Sequence, residues 1–349
     1  MKLPSVEPRR LRATTAAGPA AVVTDDLRPR RTVLESAIRS PYLSSAVAIV
    51  ILSLLLISTG SDFLTAANGI AIIYTVSLVA LLAIGETMIL ISAGVDLSAG
   101  SMLGLSGTVG AWVIVSHHWP SGAGILVCLG VGVLGGLING LCCAFTTISP
   151  FIVTLAVSSV AAGLTLVISQ GNTIAPLPAA YDWLGAATWG EVPYLFFLII
   201  VLFIAAEFMM RRSVVGRELY ALGGNARAAV IAGISRRRLT VGVYTVAGLL
   251  YGVAGLAQVG ILGAATTGAG ADDLLTPIAA AVIGGVSLFG GEGSVIGAGL
   301  GIIVIGLIDD GLGLRNISSF YTTIVFGVVV FLAVLGDSAR RGAVRRRQA

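Results

Sequence analysis

The sequence predicts an all-α, polytopic membrane protein of about ten transmembrane helices with both termini cytoplasmic. Three observations carry this. The 349 residues are 56% hydrophobic and 11% charged, with a mean hydropathy of +0.98, too little polar surface to cover a soluble core. Apolar runs of about 20 residues recur along the chain, the length needed to cross about 30 Å of hydrocarbon. The arginines avoid those runs and collect in three places.

Residues 1–40 are arginine-rich, carry Pro4, Pro8 and Pro29, and lack an early apolar segment. They read as a disordered basic cytoplasmic tail with no cleavable signal peptide. A permease-like membrane domain follows over 41–338, and 339–349 is a second basic tail. Polar breaks divide the domain into candidate helices at 42–59, 68–91, 98–116, 122–145, 151–169, 193–210, 239–260, 274–289, 294–309 and 319–336. The third, eighth and ninth leave room for broken or re-entrant pieces.

Basic residues in short loops stay in the cytoplasm, so they test the count. Eight lie before the first helix, seven in 211–238 and five in the C-terminal tail, which accounts for 20 of the 21; Arg315 is the exception. Ten crossings put all three clusters on one side. The opposite face is acidic, with Asp62, Asp182, Glu191, Asp272, Asp273, Asp309 and Asp310. A polybasic inner surface beside anionic headgroups explains the net charge of +4 without nucleic acid.

The run Gly69–Ser116 contains only two charged residues, Glu86 and Asp96. Asp96 and Ser98 fall between the second and third helices, where either side chain can accept from the unpaired N–H groups of a helix start. The other reading is a buried ionisable group on a transport path. Glu86 is expected inside the bundle or near the inner surface, since a lipid-facing carboxylate is costly. A second glycine-rich break, GGVSLFGGEGS at 284–294, shares Gly-Val-x-Leu with AGVDLSAGS at 93–101 and hints at an internal repeat. Glycines spaced by three or four in 130–140, 248–256 and 297–306 suggest closely packed helices.

Several chemistries lack a constellation. The one lysine, Lys2, cannot serve a G-x-x-x-x-G-K phosphate loop. His117 and His118 are adjacent and read as a surface turn, so no metal site is expected. Cys128, Cys142 and Cys143 read as small core residues. The long polar interruption 211–239 is different, because within it Asn225–Ile234 reads as a short helix with Gly223-Gly224 ahead and Gly233 near its end. Such a surface helix is either a handle for a partner or a passive connector.

These residues together resemble the membrane-spanning subunits of ribose-type ABC sugar importers. GETMILISAGVDLSAGS (85–101), GLINGLCCAFTTISPFIVTLAVSSVAAGL (136–164), GRELYALGGNARAAVIAGI (216–234) and IAAAVIGGVSLFGGEGSVIGAGLG (278–301) occur in the family's order, and the likeness covers about 40–336. The resemblance implies a permease in the bacterial inner membrane that moves a pentose, hexose or polyol. Its implied partners are a cytoplasmic ABC ATPase, a second permease copy or close paralogue, and an external sugar-binding protein. ATP and Mg then belong to the ATPase, and this chain binds no cofactor and is no enzyme. Gly224, Asn225, Ala228, Ala229 and Gly233 become the ATPase-coupling loop. Glu86, Asp96, Leu97, Ser98, Asn139 and Pro150 become the motif beside the translocation path. Asp272, Asp273, Asp309 and Asp310 become candidates for docking the binding protein. The chain departs from the family pattern at Ala226 and Arg227, where acidic residues are frequent, and at Glu86. Two other readings stand beside this one: an ion-coupled secondary transporter using Glu86, Asp96 or Glu207, and a non-transporting scaffold.

Overall fold

The computed structural model describes residues 41–60, 62–271 and 273–318, with scattered helical positions between 321 and 335. The two basic tails and half of the tenth candidate helix lie outside the described residues. The first helix, α1 (Pro41–Thr59), leads through a 3-10 turn at Asp62–Leu64 into α2 (Ala66–Ile91), α3 (Ala99–Val115), α4 (Ser121–Phe145) and α5 (Pro150–Ser169). A short helix α6 (Ala179–Ala186) and a two-residue hairpin, β1 (Thr188–Trp189) with β2 (Val192–Pro193), then precede α7 (Tyr194–Arg212). The chain continues through α8 (Val214–Gly224), α9 (Ala226–Ile231), α10 (Arg236–Leu262), α11 (Thr276–Ile283) and α12 (Val295–Leu314).

Six of these, α2, α4, α5, α7, α10 and α12, are long and apolar enough to cross a membrane; Tyr42–Ser58 of α1 and α3 are shorter apolar helices. The eighth expected span is not a continuous helix. α11 has 8 residues, about 12 Å of rise, and ends where Gly285 enters the left-handed region at φ +87. The irregular stretch 263–275 precedes it, with Ala265 bridged to Ile174 and Gly270 against Gly100 of α3. The third and ninth candidates, by contrast, form the unbroken helices α3 and α12.

α10 is the axis of the fold and packs on α2, α3, α4 and α6. Its closest partner is α4, because their glycines face each other: a Cβ on Gly132 would lie 2.3 Å from the Gly248 carbonyl oxygen, and one on Gly136 2.2 Å from that of Tyr244. The expected close packing of the first two glycine runs is therefore backbone against backbone, with dispersion rather than side chains joining the helices. The third run packs α12 on α11, where a Cβ at Gly301 would strike the Ala280 carbonyl oxygen at 1.9 Å.

Candidate functional site: a carboxylate-bearing turn beneath two surface helices

After Ile91 the chain turns back into the bundle. Ala93 takes φ +63, and the Gly94 N–H donates to the Ile89 carbonyl at 3.0 Å, a six-residue ring that closes a helix C-terminus. The second break ends α11 in the same way. Gly285 is left-handed and the Val286 N–H donates to Ala281 at 2.9 Å. The two breaks therefore share geometry, but Ala93 pairs with Gly285 and Gly94 with Val286, one residue out of step with the Gly-Val-x-Leu match.

The returning strand of the first break brings the motif residues together. Glu86, Asp96, Ser98 and Asn139 are all fully buried, and Glu86 lies inside the bundle as expected. The Asp96 N–H donates to Glu86 Oε1 at 3.2 Å. Asp96 Oδ1 accepts from the Ser98 N–H at 2.8 Å and the Ser98 hydroxyl at 2.6 Å. Asn139 Nδ2 donates to Ser98 Oγ at 2.8 Å and more weakly to Asp96 Oδ1 at 3.4 Å. Asp96 thus bonds the N–H at the start of α3, while Ser98, the residue at the cap position, makes no side-chain cap bond. Burial of this kind demands such partners, since a stranded buried donor costs about 1–3 kcal/mol. Glu86 Oε2 and Asn139 Oδ1 have no hydrogen-bond partner among the described residues.

Three anchors were not singled out in the sequence. Thr154 of α5 accepts from the Leu97 N–H at 3.1 Å and donates to the Pro150 carbonyl at 2.9 Å, which ties Pro150 and Leu97 to one point. Tyr244 of α10 donates to the Val95 carbonyl at 2.9 Å. Ser101 and Ser158 pair at 2.8 Å between α3 and α5. The sequence shows each only as a polar residue in an otherwise apolar helix, which does not separate it from others of that kind. Leu97 itself packs on Ile278 and Val282 of α11.

The surface helices pack directly against this turn. The expected short helix is α9, and a second helix that was not expected, α8, precedes it, because Ser213 accepts from the Gly216 N–H at 3.0 Å and starts a separate helix upstream. Asn225 caps α9 by accepting from the Ala228 N–H at 3.0 Å. Gly233, at φ +87, ends it, and the Ile234 N–H donates to the Ala229 carbonyl at 3.0 Å. Ala229 is buried, whereas Ile231 is 88% exposed. A cavity of about 140 Å³ lies beside the contact of these helices with the turn, lined by Ala93, Gly94, Cys143, Leu222, Arg236 and Tyr244 among others.

Glu207 has a structural place. It pairs with Arg211 and its Oε2 accepts from the Ile296 N–H at 3.1 Å, at the start of α12. Arg211 donates to the Tyr42 hydroxyl at 2.8 Å. Burial, and then the Glu207 carboxylate, push the nearby Tyr220 hydroxyl up to about 12. Glu207 therefore has a basic partner four residues on in its own helix, while among the described residues no arginine or lysine pairs with Glu86 or Asp96.

The acidic docking candidates are dispersed. Asp272 lies outside the described residues. Asp273 is not on an open loop: it is half-buried, and its Cβ lies 3.1 Å from where a Gly100 Cβ would stand, because 263–275 folds inward. Asp309 and Asp310 belong to α12, which continues through Gly311 to Leu314, and Asp310 accepts from Asn68 at 3.0 Å. His117 and His118 are exposed in a turn, as read from the sequence.

The chain matches the family described as branched-chain amino acid transport system / permease component over residues 68–334. It is 33% identical over 301 residues to the ribose import permease protein RbsC of Escherichia coli (strain K12), covering 85% of this chain and 94% of that protein. Its likeness to the RbsC of Bacillus subtilis (strain 168) is 37% over 299 residues, covering 85% and 91%. The xylose transport system permease protein XylH of Escherichia coli (strain K12) is 31% identical over 361 residues, covering 86% and 92%.

Proposed function

The chain belongs to the branched-chain amino acid transport system permease family, in its ribose-type ABC branch, and from that premise we propose that it is the membrane-spanning subunit of an ATP-driven sugar importer. In this reading a separate cytoplasmic ATPase hydrolyses ATP, and an external binding protein delivers a pentose, hexose or polyol. The permease works as a pair, with a second copy or a close paralogue. The observation that carries the reading is the α8–α9 unit: two capped helices in the arginine-bearing connector, with Ile231 almost wholly exposed, seated against the turn that holds Asp96. An isolated solute carrier has no use for such a handle, and the sequence's lack of a phosphate-loop lysine is in keeping with hydrolysis by a partner.

We read ten crossings with both termini in the cytoplasm. The eighth combines 263–275 with α11, and the tenth is the segment beyond residue 318. The Asp96 network then sits within the membrane on the cytoplasmic half, between α2, α4, α5 and α10. An ATP-driven displacement of α9 reaches it through α8, which is the two-state switching such importers require.

The test is uptake of radiolabelled ribose and xylose by cells carrying this chain, its ATPase and its binding protein. Uptake should require the co-expressed ATPase and stop with vanadate. Uptake by this chain alone, abolished by a protonophore while cellular ATP is held constant, would instead establish the ion-coupled reading.

A further inference from the structure

The C-terminus of α8 touches both breaks at one point, with no side chain between. A Cβ on Gly223 would lie 1.9 Å from the Ile91 carbonyl oxygen and 2.6 Å from the Gly291 nitrogen. Those two atoms are themselves hydrogen-bonded, Gly291 donating to Ile91 at 2.9 Å. Gly223 therefore lies directly on the bond that ties the end of α2 to the second break. From the other side, a Cβ on Gly291, whose φ is +77, would lie 2.7 Å from Gly224 Cα. One turn back along α8, the Tyr220 hydroxyl donates to the Gly293 carbonyl at 2.8 Å.

Each contact leads to a helix start. Ile91 precedes the turn whose Asp96 bonds the start of α3, and Gly293 precedes Ser294, which accepts from the Gly297 N–H at 3.0 Å and caps α12. Side chains between moving parts change rotamer and absorb a displacement, whereas backbones in contact do not. We propose that Gly223, Gly291 and Tyr220 form one joint through which movement of α8 shifts the starts of α3 and α12 together. They are positioning residues: they touch no solute and act through the two breaks. The proposal rests on the ATP-driven reading above.

The experiment uses the full complex of permease, ATPase and binding protein in proteoliposomes, with radiolabelled ribose and xylose as the probes, and reads solute moved per ATP hydrolysed. Gly223→Ala should assemble with the ATPase and still hydrolyse ATP, but transport at least about tenfold less per ATP. Gly242→Ala, where a Cβ meets open space, makes the same chemical change in α10 and should stay within about twofold of the unaltered chain. Tyr220→Phe removes one hydroxyl and should lower the ratio about threefold; it decides the matter if Gly223→Ala fails to assemble. An unchanged ratio in Gly223→Ala, or in Tyr220→Phe where Gly223→Ala does not assemble, overturns the joint while leaving the importer reading intact. An unaltered complex that shows no ATP-dependent uptake of either probe, yet moves it in an ion gradient, overturns that reading and the joint with it.

Discussion

The two breaks that return the chain into the bundle end their helices with the same hydrogen-bond ring and then diverge. The first, 92–98, is held by side chains from other helices: Glu86, Asn139, Thr154 and Tyr244 all bond it. The second, 284–294, is held largely through backbone, with Gly285, Gly290, Gly291 and Gly293 at positive φ, contacts to Ala93 and Gly224 where no side chain fits, and the Gly293 carbonyl accepting from Tyr220. One is fastened to the wall of the bundle and the other is folded against its neighbours. The contrast shows two ways of satisfying irregular backbone inside a membrane protein: supply partners from adjacent helices, or supply glycine so that the chain can pair with itself.

The sharpest test removes the fastening of the first break. Asp96→Ala leaves the Ser98 N–H and hydroxyl without their acceptor, and at about 1–3 kcal/mol per stranded buried group we expect a loss of about 3 kcal/mol or more. Thermal unfolding followed by a thiol-reactive dye reaching the buried Cys128 and Cys143 measures it. Asp96→Asn, which keeps an acceptor oxygen, should lose clearly less. A change below about 1 kcal/mol for the alanine variant would mean that the turn is held by backbone alone and that the two breaks are not different in kind.

A smaller effect belongs to the second break. Gly285→Ala forces an L-residue into the left-handed region at a helix end and should cost about 1–2 kcal/mol in the same assay. No loss would show that its conformation is set by the surroundings rather than by glycine.

The smallest effect is at the matching position of the first break. Ala93→Gly removes about 1 kcal/mol of left-handed strain and gives back about 0.5–1 kcal/mol in unfolded-chain entropy, so a net change within about 0.5 kcal/mol is expected. A larger shift in either direction would mean that the Ala93 methyl, packed on Gly290, contributes more than its conformation does.

Most of the helices were legible because membrane spans announce themselves by length and apolarity, and α1–α5, α7, α10 and α12 fall within a few residues of where hydropathy puts them. The eighth span was among those read as open to a break, but the place of the break was not legible, because an apolar run reads the same whether it is wound or not, and the backbone angles of Gly270 and Gly285 distinguish the two. Of the site, Glu86 and Asp96 were visible as charges in an apolar run. Asn139 and Pro150 entered only through the family likeness, and Thr154 and Tyr244 were hidden among ordinary helix residues, because what selects them is the fold's placement of α5 and α10. The repeat between the breaks was seen one residue out of register, since Gly-Val-x-Leu matches letters while the helix end depends on which residue is left-handed. α8 was missed because its amphipathic turns carry charges that read as a loop.

The seam between α4 and α10 has a consequence for how the molecule opens. With Gly132, Gly136 and Gly248 in direct backbone contact, the two helices have no compressible layer between them and cannot slide without collision. They form a keel, and whatever passage the protein opens must come from other elements swinging about it.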